Sequence, residues 1–145
     1  MIIAFFGHSD FRGTSALEDR MLAILKEQTS GSGAELFFGG YGGFDRFAFD
    51  CGRKFKSEDP SIRLVFVTPY LEREYEGEEK YDEIVYPPLE KVPYRFAIVE
   101  RNKWMVDRAD VVISAVTREY GGAFKAVSRA IKKNKRVISI IKFDD

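Results

Sequence analysis

Two stretches of this chain place neighbouring glycines where an apolar run gives out. Phe37 to Asp45 reads FFGGYGGFD, and Glu119 to Ala123 reads EYGGA. Glycine has no Cβ to hold a bound group away, and it accepts φ > 0. Where such a pair opens a helix, unpaired N–H groups and the positive end of the helix dipole favour an anion. The chemistry suggested is the cradling of a phosphate or carboxylate on bare main chain. Gly39, Gly40, Tyr41, Gly42 and Gly43 would supply one loop; Tyr120, Gly121, Gly122 and Ala123 would supply the other. Turn formation alone explains either pair taken singly, whereas two pairs at one sheet edge favour a ligand.

Side chains that could do acid–base work are few. His8 is the one histidine and sits in Gly7-His8-Ser9, with Asp10 or Asp45 as conceivable partners. No triad spacing surrounds it, so it reads more simply as a polar residue that orients the site. Asp45 either caps a helix or meets a sugar hydroxyl, and Glu119 is a third acid–base candidate. Arg101 either pairs with Glu100 or Asp107 on a helix surface or holds an anion. Thr68 and Pro69 would shape a pocket rim. Cys51 falls on an apolar stripe and reads as packing. No Cys/His cluster suggests a metal, and no cofactor is expected. A G-x-x-x-x-G-K-[ST] motif is absent, as is G-x-G-x-x-G directly after the first apolar run.

These residues need elements to hold them. Ile2–Phe6, Ala34–Phe38, Ile62–Val67, Asp110–Val116 and Val137–Ile141 are short apolar runs that read as buried strands, with Glu83–Tyr86 a shorter candidate. Helices are expected between them. The first covers 15–28, with Ser15 and Glu18 at capping-box spacing and Leu17, Met21, Ile24 and Leu25 in one stripe. The second carries Phe44, Phe47, Ala48, Cys51 and Phe55. The third covers 94–108 with Ile98, Met105 and Ala109 inward. The fourth presents Phe124, Val127, Ala130 and Ile131 on one side. Alternating apolar strands and helices describe βαβ units. The expected fold is α/β: a Rossmann-like, doubly wound three-layer α/β/α sandwich with a mostly parallel sheet of five to six strands, as one domain over 1–145. In such a sheet a ligand sits beyond the carboxyl ends of the strands.

Composition narrows the partners. Lys plus Arg and Asp plus Glu are each 23, so net charge is zero. That gives no general attraction to nucleic acid or anionic lipid. The basic run Arg129–Arg136 reads as a solvated helix end. The N-terminus lacks a signal-peptide pattern and no run is long enough to span a membrane, so a cytoplasmic protein is expected. Residues 70–94 stand apart: eight acidic and three basic residues give a net charge of −5, with Gly77, Pro87, Pro88 and Pro93. This irregular acidic insert is expected to be part-structured or a lid.

A first strand ending in Gly7-His8, a second ending in FGGYGG, and RNKWMVDRADVVISAVTREYGGAFKAVSRAIKKNKRVISI (101–140) together resemble the SLOG superfamily. Its members include the LOG (lysine-decarboxylase-like) nucleotide phosphoribohydrolases and the DprA/Smf core; the style is that of compact bacterial YpsA-like members. The resemblance implies a site for a nucleotide or nucleotide-derived phosphorylated ligand between the two glycine loops. By motif, Gly40, Gly42 and Gly43 would lie toward the base and sugar, and Gly121 and Gly122 would take the phosphate. Arg101 matches the arginine that LOG enzymes set against substrate, and Asn102 stands where they usually carry lysine. A homodimer is also implied. LOG enzymes follow the second glycine loop with a threonine and a catalytic glutamate; here those positions fall on Ala123 and Lys125, and a lysine cannot act as that carboxylate. Ligand binding or sensing is therefore the expectation. An N-glycosidase with a non-standard acid or base, drawn from His8, Asp45 or Glu119, is the alternative.

Overall fold

In the computed structural model, which describes residues 1–141, neighbouring side chains along each inner strand enter opposite layers. Strand β1 (Ile2–Gly7) sends Ile3 and Phe5 to one face and Ala4 and Phe6 to the other. Strand β2 (Ala34–Phe38) divides Leu36 and Phe38 from Phe37 in the same way. On the first face lie helices α1 (Ser15–Thr29) and α2 (Gly43–Glu58), packed through Met21, Leu25, Phe44, Ala48 and Cys51. On the second lie α3 (Ala97–Arg108) and α4 (Gly122–Lys132), packed through Met105, Val106, Ala126 and Ala130. Continuous apolar strands are required because both sheet faces are covered.

The remaining strands are β3 (Ile62–Val67), β4 (Glu83–Val85), β5 (Val111–Ala115) and β6 (Arg136–Ser139). All six pair in parallel, in the order β4-β3-β2-β1-β5-β6. The chain winds outward from β1 to β4, then returns to the other side of β1 at β5. The switch point in strand order therefore lies between β1 and β5, where a crevice opens at their carboxyl ends. This is the expected three-layer fold with the larger of the two expected strand counts.

Local differences have clear causes. Thr14, not Ser15, caps α1: its backbone is extended and its side chain accepts the Leu17 N–H at 3.2 Å. The stripe on α3 is Ala97, Arg101, Met105 and Val106, and Ile98 is 41% exposed, because a 3₁₀ turn at Tyr94–Phe96 resets the helix start. On α4 the residues turned fully inward are Ala126 and Ala130, and Ile131 is exposed. Small residues let α4 lie close on the sheet. Cys51 is buried as expected, and burial pushes its thiol up to about 12. Trp104 stacks on Phe37 with centroids 6.0 Å apart and carries the Arg108 guanidinium over its outer ring face.

The acidic insert is part-structured. A 3₁₀ turn at Glu78–Lys80 precedes β4, and Asp82 anchors it by accepting the Leu64 N–H at 2.7 Å while its own N–H donates to Leu64 O. Tyr75 and Tyr81 pack their rings on Phe66. No helix of the described residues is long and apolar enough to cross a membrane, and among them no group of His, Cys, Asp and Glu could hold a metal ion.

Candidate functional site

The crevice between β1 and β5 is a cavity of about 300 Å³. The end of β1 and the turn after it supply Gly7, His8 and Ser9; β2 ends there with Gly39; α2 contributes Asp45; α3 contributes Ile98, Arg101 and Asn102; and the β5–α4 connection contributes Arg118, Tyr120, Gly121, Gly122 and Ala123. Residues more than 110 positions apart thus share one hollow because β1 and β5 are neighbours. Tyr41 also reaches it. Of the residues expected at the site, Gly40, Gly42 and Gly43 do not line this cavity. Thr68 closes a turn on itself, donating to Tyr70 O and accepting the Tyr70 N–H, and Pro69 lines a separate hollow beside Tyr70 and Tyr94. Glu119 is likewise outside the lining. Arg118 lines it without having been singled out, and Ile98, expected in the core, lines it too; the position of Arg118, between a buried strand and a glycine pair, is the signal that points to it.

Arg101 is 3% exposed, and neither Glu100 nor Asp107 pairs with it. Its Nη1 donates to Gly39 O at 2.9 Å and Val67 O at 2.6 Å, tying together the ends of β2 and β3. Its Nε donates to Asn102 Oδ1 at 2.9 Å. Because an N–H must face the amide oxygen, Asn102 is fixed with its NH₂ turned away from Arg101, 3.8 Å from where a Cβ on Gly122 would stand. Nη2 has no partner in the chain among the described residues. It lies beside Gly39, where a Cβ would come within 3.1 Å of Nη2 and 3.2 Å of Asp45 Oδ2. Gly39 is therefore bare so that a guanidinium and a carboxylate can both approach it. Burial lowers Arg101 from its ordinary value, but a guanidinium stays charged at neutral pH.

Asp45 sits in the first turn of α2, and its Oδ2 accepts the Tyr41 N–H at 3.0 Å. Desolvation pushes its carboxyl up to about 6, against the opposing pull of that N–H and of Arg101. His8 is buried, and its Nε2 accepts the Thr117 N–H at 3.0 Å. The proton therefore resides on Nδ1, since a backbone donor occupies the other lone pair. Burial and the nearby Arg118 lower His8 from its ordinary value, so the ring is a neutral, oriented donor. Its Nε2 is not free to act as a base. Arg118 forms a two-point pair with Asp10, at 2.9 and 3.0 Å, across the cavity mouth.

The α4 end of the cavity is open. Gly121 caps the helix at φ 93°, ψ 175°, and a Cβ there would meet nothing within 4 Å. Among the described residues no acceptor takes the N–H groups of Gly122 or Ala123; the first bond of the helix is Lys125 N–H to Gly121 O. Lys125 itself lies outside the cavity, in the groove between α3 and α4.

No family model matches the chain. A UPF0398 protein of Bacillus licheniformis is 26% identical over 165 residues, which spans 99% of this chain and 86% of that one. Among solved structures, the molybdenum cofactor binding protein of Rippkaea orientalis superposes with a TM-score of 0.63 at 20% identity, over 95% of this chain and 74% of that one. DNA processing protein A of Helicobacter pylori, a single-stranded DNA binder, gives 0.67 at 18% identity over 96% and 64%. The chain is thus similar in sequence to a UPF0398 protein and shares its fold with these two structures. Those neighbours on this fold bind a molybdenum cofactor or single-stranded DNA.

Proposed function

We propose that this SLOG-type domain binds a nucleotide-derived phosphorylated ligand in the β1–β5 cavity, with a phosphate on the N-terminus of α4. One observation carries the reading: donors converge there. The free N–H groups of Gly122 and Ala123, the Asn102 NH₂, Arg101 Nη2, the His8 Nδ1–H and Arg118 border one small hollow, against the single lining carboxylate of Asp45. A surface so short of acceptors is matched by a group made only of acceptor oxygens. The two neighbours' ligands, a cofactor and a DNA strand, are compatible with that chemistry.

The test is calorimetry of the full chain with nucleoside 5′-monophosphates and, as a control, the matching nucleosides. Binding of the phosphorylated set alone is the expected result. Replacing Arg101 with Met is expected to weaken it at least about tenfold, since a charge-assisted hydrogen bond is worth about 1.5–3 kcal/mol. Equal affinity for nucleoside and nucleotide overturns the reading.

A second reading draws on Asp45, a cavity carboxyl whose proton is held to about pH 6. A group so placed is matched to proton transfer near neutrality. In N-glycosidic hydrolysis it would donate that proton to the departing base as the C–N bond breaks and water adds to the sugar. Release of free base by the wild type, abolished in Asp45→Asn, would establish this reading; ligand binding without turnover removes it. A homodimer would cover Ile98 and Tyr120, which are exposed and line the cavity, and sedimentation equilibrium reads it directly.

A further inference from the structure

The cavity does not end at the glycine pair. Asn102 and Gly122 also line a groove of about 310 Å³ between α3 and α4, floored by Val99 and Ala126 and edged by Lys103, Lys125 and Arg129. The saddle between the two hollows is bare: a Cβ on Gly121 would meet nothing within 4 Å, and one on Gly122 only the Asn102 amide nitrogen. Two of the three cations are engaged. Lys103 Nζ lies 3.2 Å from Glu100, and Arg129 makes a two-point pair with Asp107 at 2.8 and 2.9 Å. Lys125, one turn into α4, has no carboxylate within ion-pair distance among the described residues. At about 300 Å³ the main cavity alone is at the lower bound of small-molecule sites. Joined to the groove it reaches the middle of that range, at roughly twice the volume.

We propose that the α3–α4 groove is a second anion subsite and that the ligand carries two phosphates held apart by a sugar-sized spacer, as in a nucleoside bisphosphate. This rests on the nucleotide reading of the main cavity. The first phosphate takes the α4 N–H groups and Arg101. The spacer crosses the saddle, where only Gly121 and Gly122 would let it pass. The second phosphate meets the free ammonium of Lys125, with Val99 and Ala126 keeping water from one side of the contact. The lysine that replaces an expected carboxylate thus reverses the charge that a ligand meets beyond the glycines.

The experiment is calorimetry of the full chain with adenosine 5′-monophosphate and adenosine 3′,5′-bisphosphate, for wild type, Lys125→Met and Lys132→Met. Lys132 is an exposed cation at the far end of α4 and controls for general charge. The bisphosphate is expected to bind wild type about tenfold tighter, the scale of one charge-assisted contact. Lys125→Met should bring the two probes to parity while leaving the monophosphate unchanged within about twofold. Lys132→Met should change neither. Equal wild-type affinities overturn the subsite, as does a loss in Lys125→Met shared by both probes or matched by Lys132→Met. If the monophosphate binds and the bisphosphate binds no better, the subsite alone falls. If neither probe binds wild type, the nucleotide reading falls and takes the subsite with it.

Discussion

The loops at the starts of α2 and α4 share a backbone and differ in what surrounds them. Gly42 and Gly121 cap their helices at φ 92°, ψ 176° and φ 93°, ψ 175°. Both are followed by a second glycine. At α2, however, the helix start is already filled from within the protein: the Gly43 N–H donates to Ser9 O at 2.8 Å and the Phe44 N–H to His8 O at 3.3 Å. A Cβ on Gly43 would stand 2.3 Å from Phe11 O, and one on Gly40 2.5 Å from the Phe66 ring. At α4 nothing among the described residues takes those positions. The same local geometry thus serves packing in one place and leaves helix N–H groups facing open space in the other. A glycine-rich sequence reveals that backbone will come close to something; only the neighbours reveal whether that something is the protein itself.

The comparison breaks most visibly with alanine. Gly43→Ala drives a methyl into two carbonyl oxygens and is expected to cost about 3 kcal/mol or more in urea unfolding. Gly122→Ala meets only the Asn102 amide nitrogen, at an ordinary contact distance of 3.8 Å, and is expected to change stability by less than about 0.5 kcal/mol. Similar losses at both positions would erase the distinction. Bulk at Gly122 separates the roles further: Gly122→Leu should keep the fold and lose nucleotide binding by calorimetry.

Arg101 joins the two regions. Arg101→Met leaves Gly39 O and Val67 O without a donor in a buried place, at an expected cost of about 2–4 kcal/mol in denaturant. A variant as stable as wild type would mean that the β2 and β3 ends hold themselves.

Asp45 sharpens the comparison through pH. Its carboxyl is held up to about 6 by desolvation, so the folded chain keeps a proton that the unfolded chain releases near 3.8. The stability contributed by that proton is fully present below pH 3.8 and is lost as pH rises through 6. Asp45→Asn should remove this decline, making the variant more stable than wild type at pH 8 by about 3 kcal/mol and similar to it near pH 4. Parallel pH profiles for the two proteins would contradict the assignment. The smallest effect is at the mouth. Asp10 and Arg118 form an exposed pair, so Asp10→Asn should leave the thermal midpoint unchanged while tightening nucleotide binding by removing a negative charge near the site.

The layers of the fold were legible because apolar runs such as Ile62–Val67 have no other explanation in a chain of this size. The same alternation placed a ligand at the carboxyl edge of the sheet, but the strand order that sets the switch point between β1 and β5 was not in it. The separation of the two glycine loops was not legible, because the groups that crowd Gly43 belong to Ser9 and Phe11, more than 30 residues earlier. Arg101 was visible as an anion candidate, yet its burial and its grip on two strand ends were not, since a helix arginine is ordinarily solvated. Asn102 gains its orientation only through Arg101, a relation that spacing along a helix does not contain.

The pairing of Ile3 with Val111 has a consequence for how the molecule is made. One wall of the cavity is synthesised with β1, and the opposite wall follows only about a hundred residues later, with β5. Until then the middle strand of the future sheet has one flank uncovered, and a nascent chain in that condition is a target for chaperones. A metabolite that grips both halves would act as a clasp on the last step of assembly, so its abundance in the cell would help set how much finished protein accumulates.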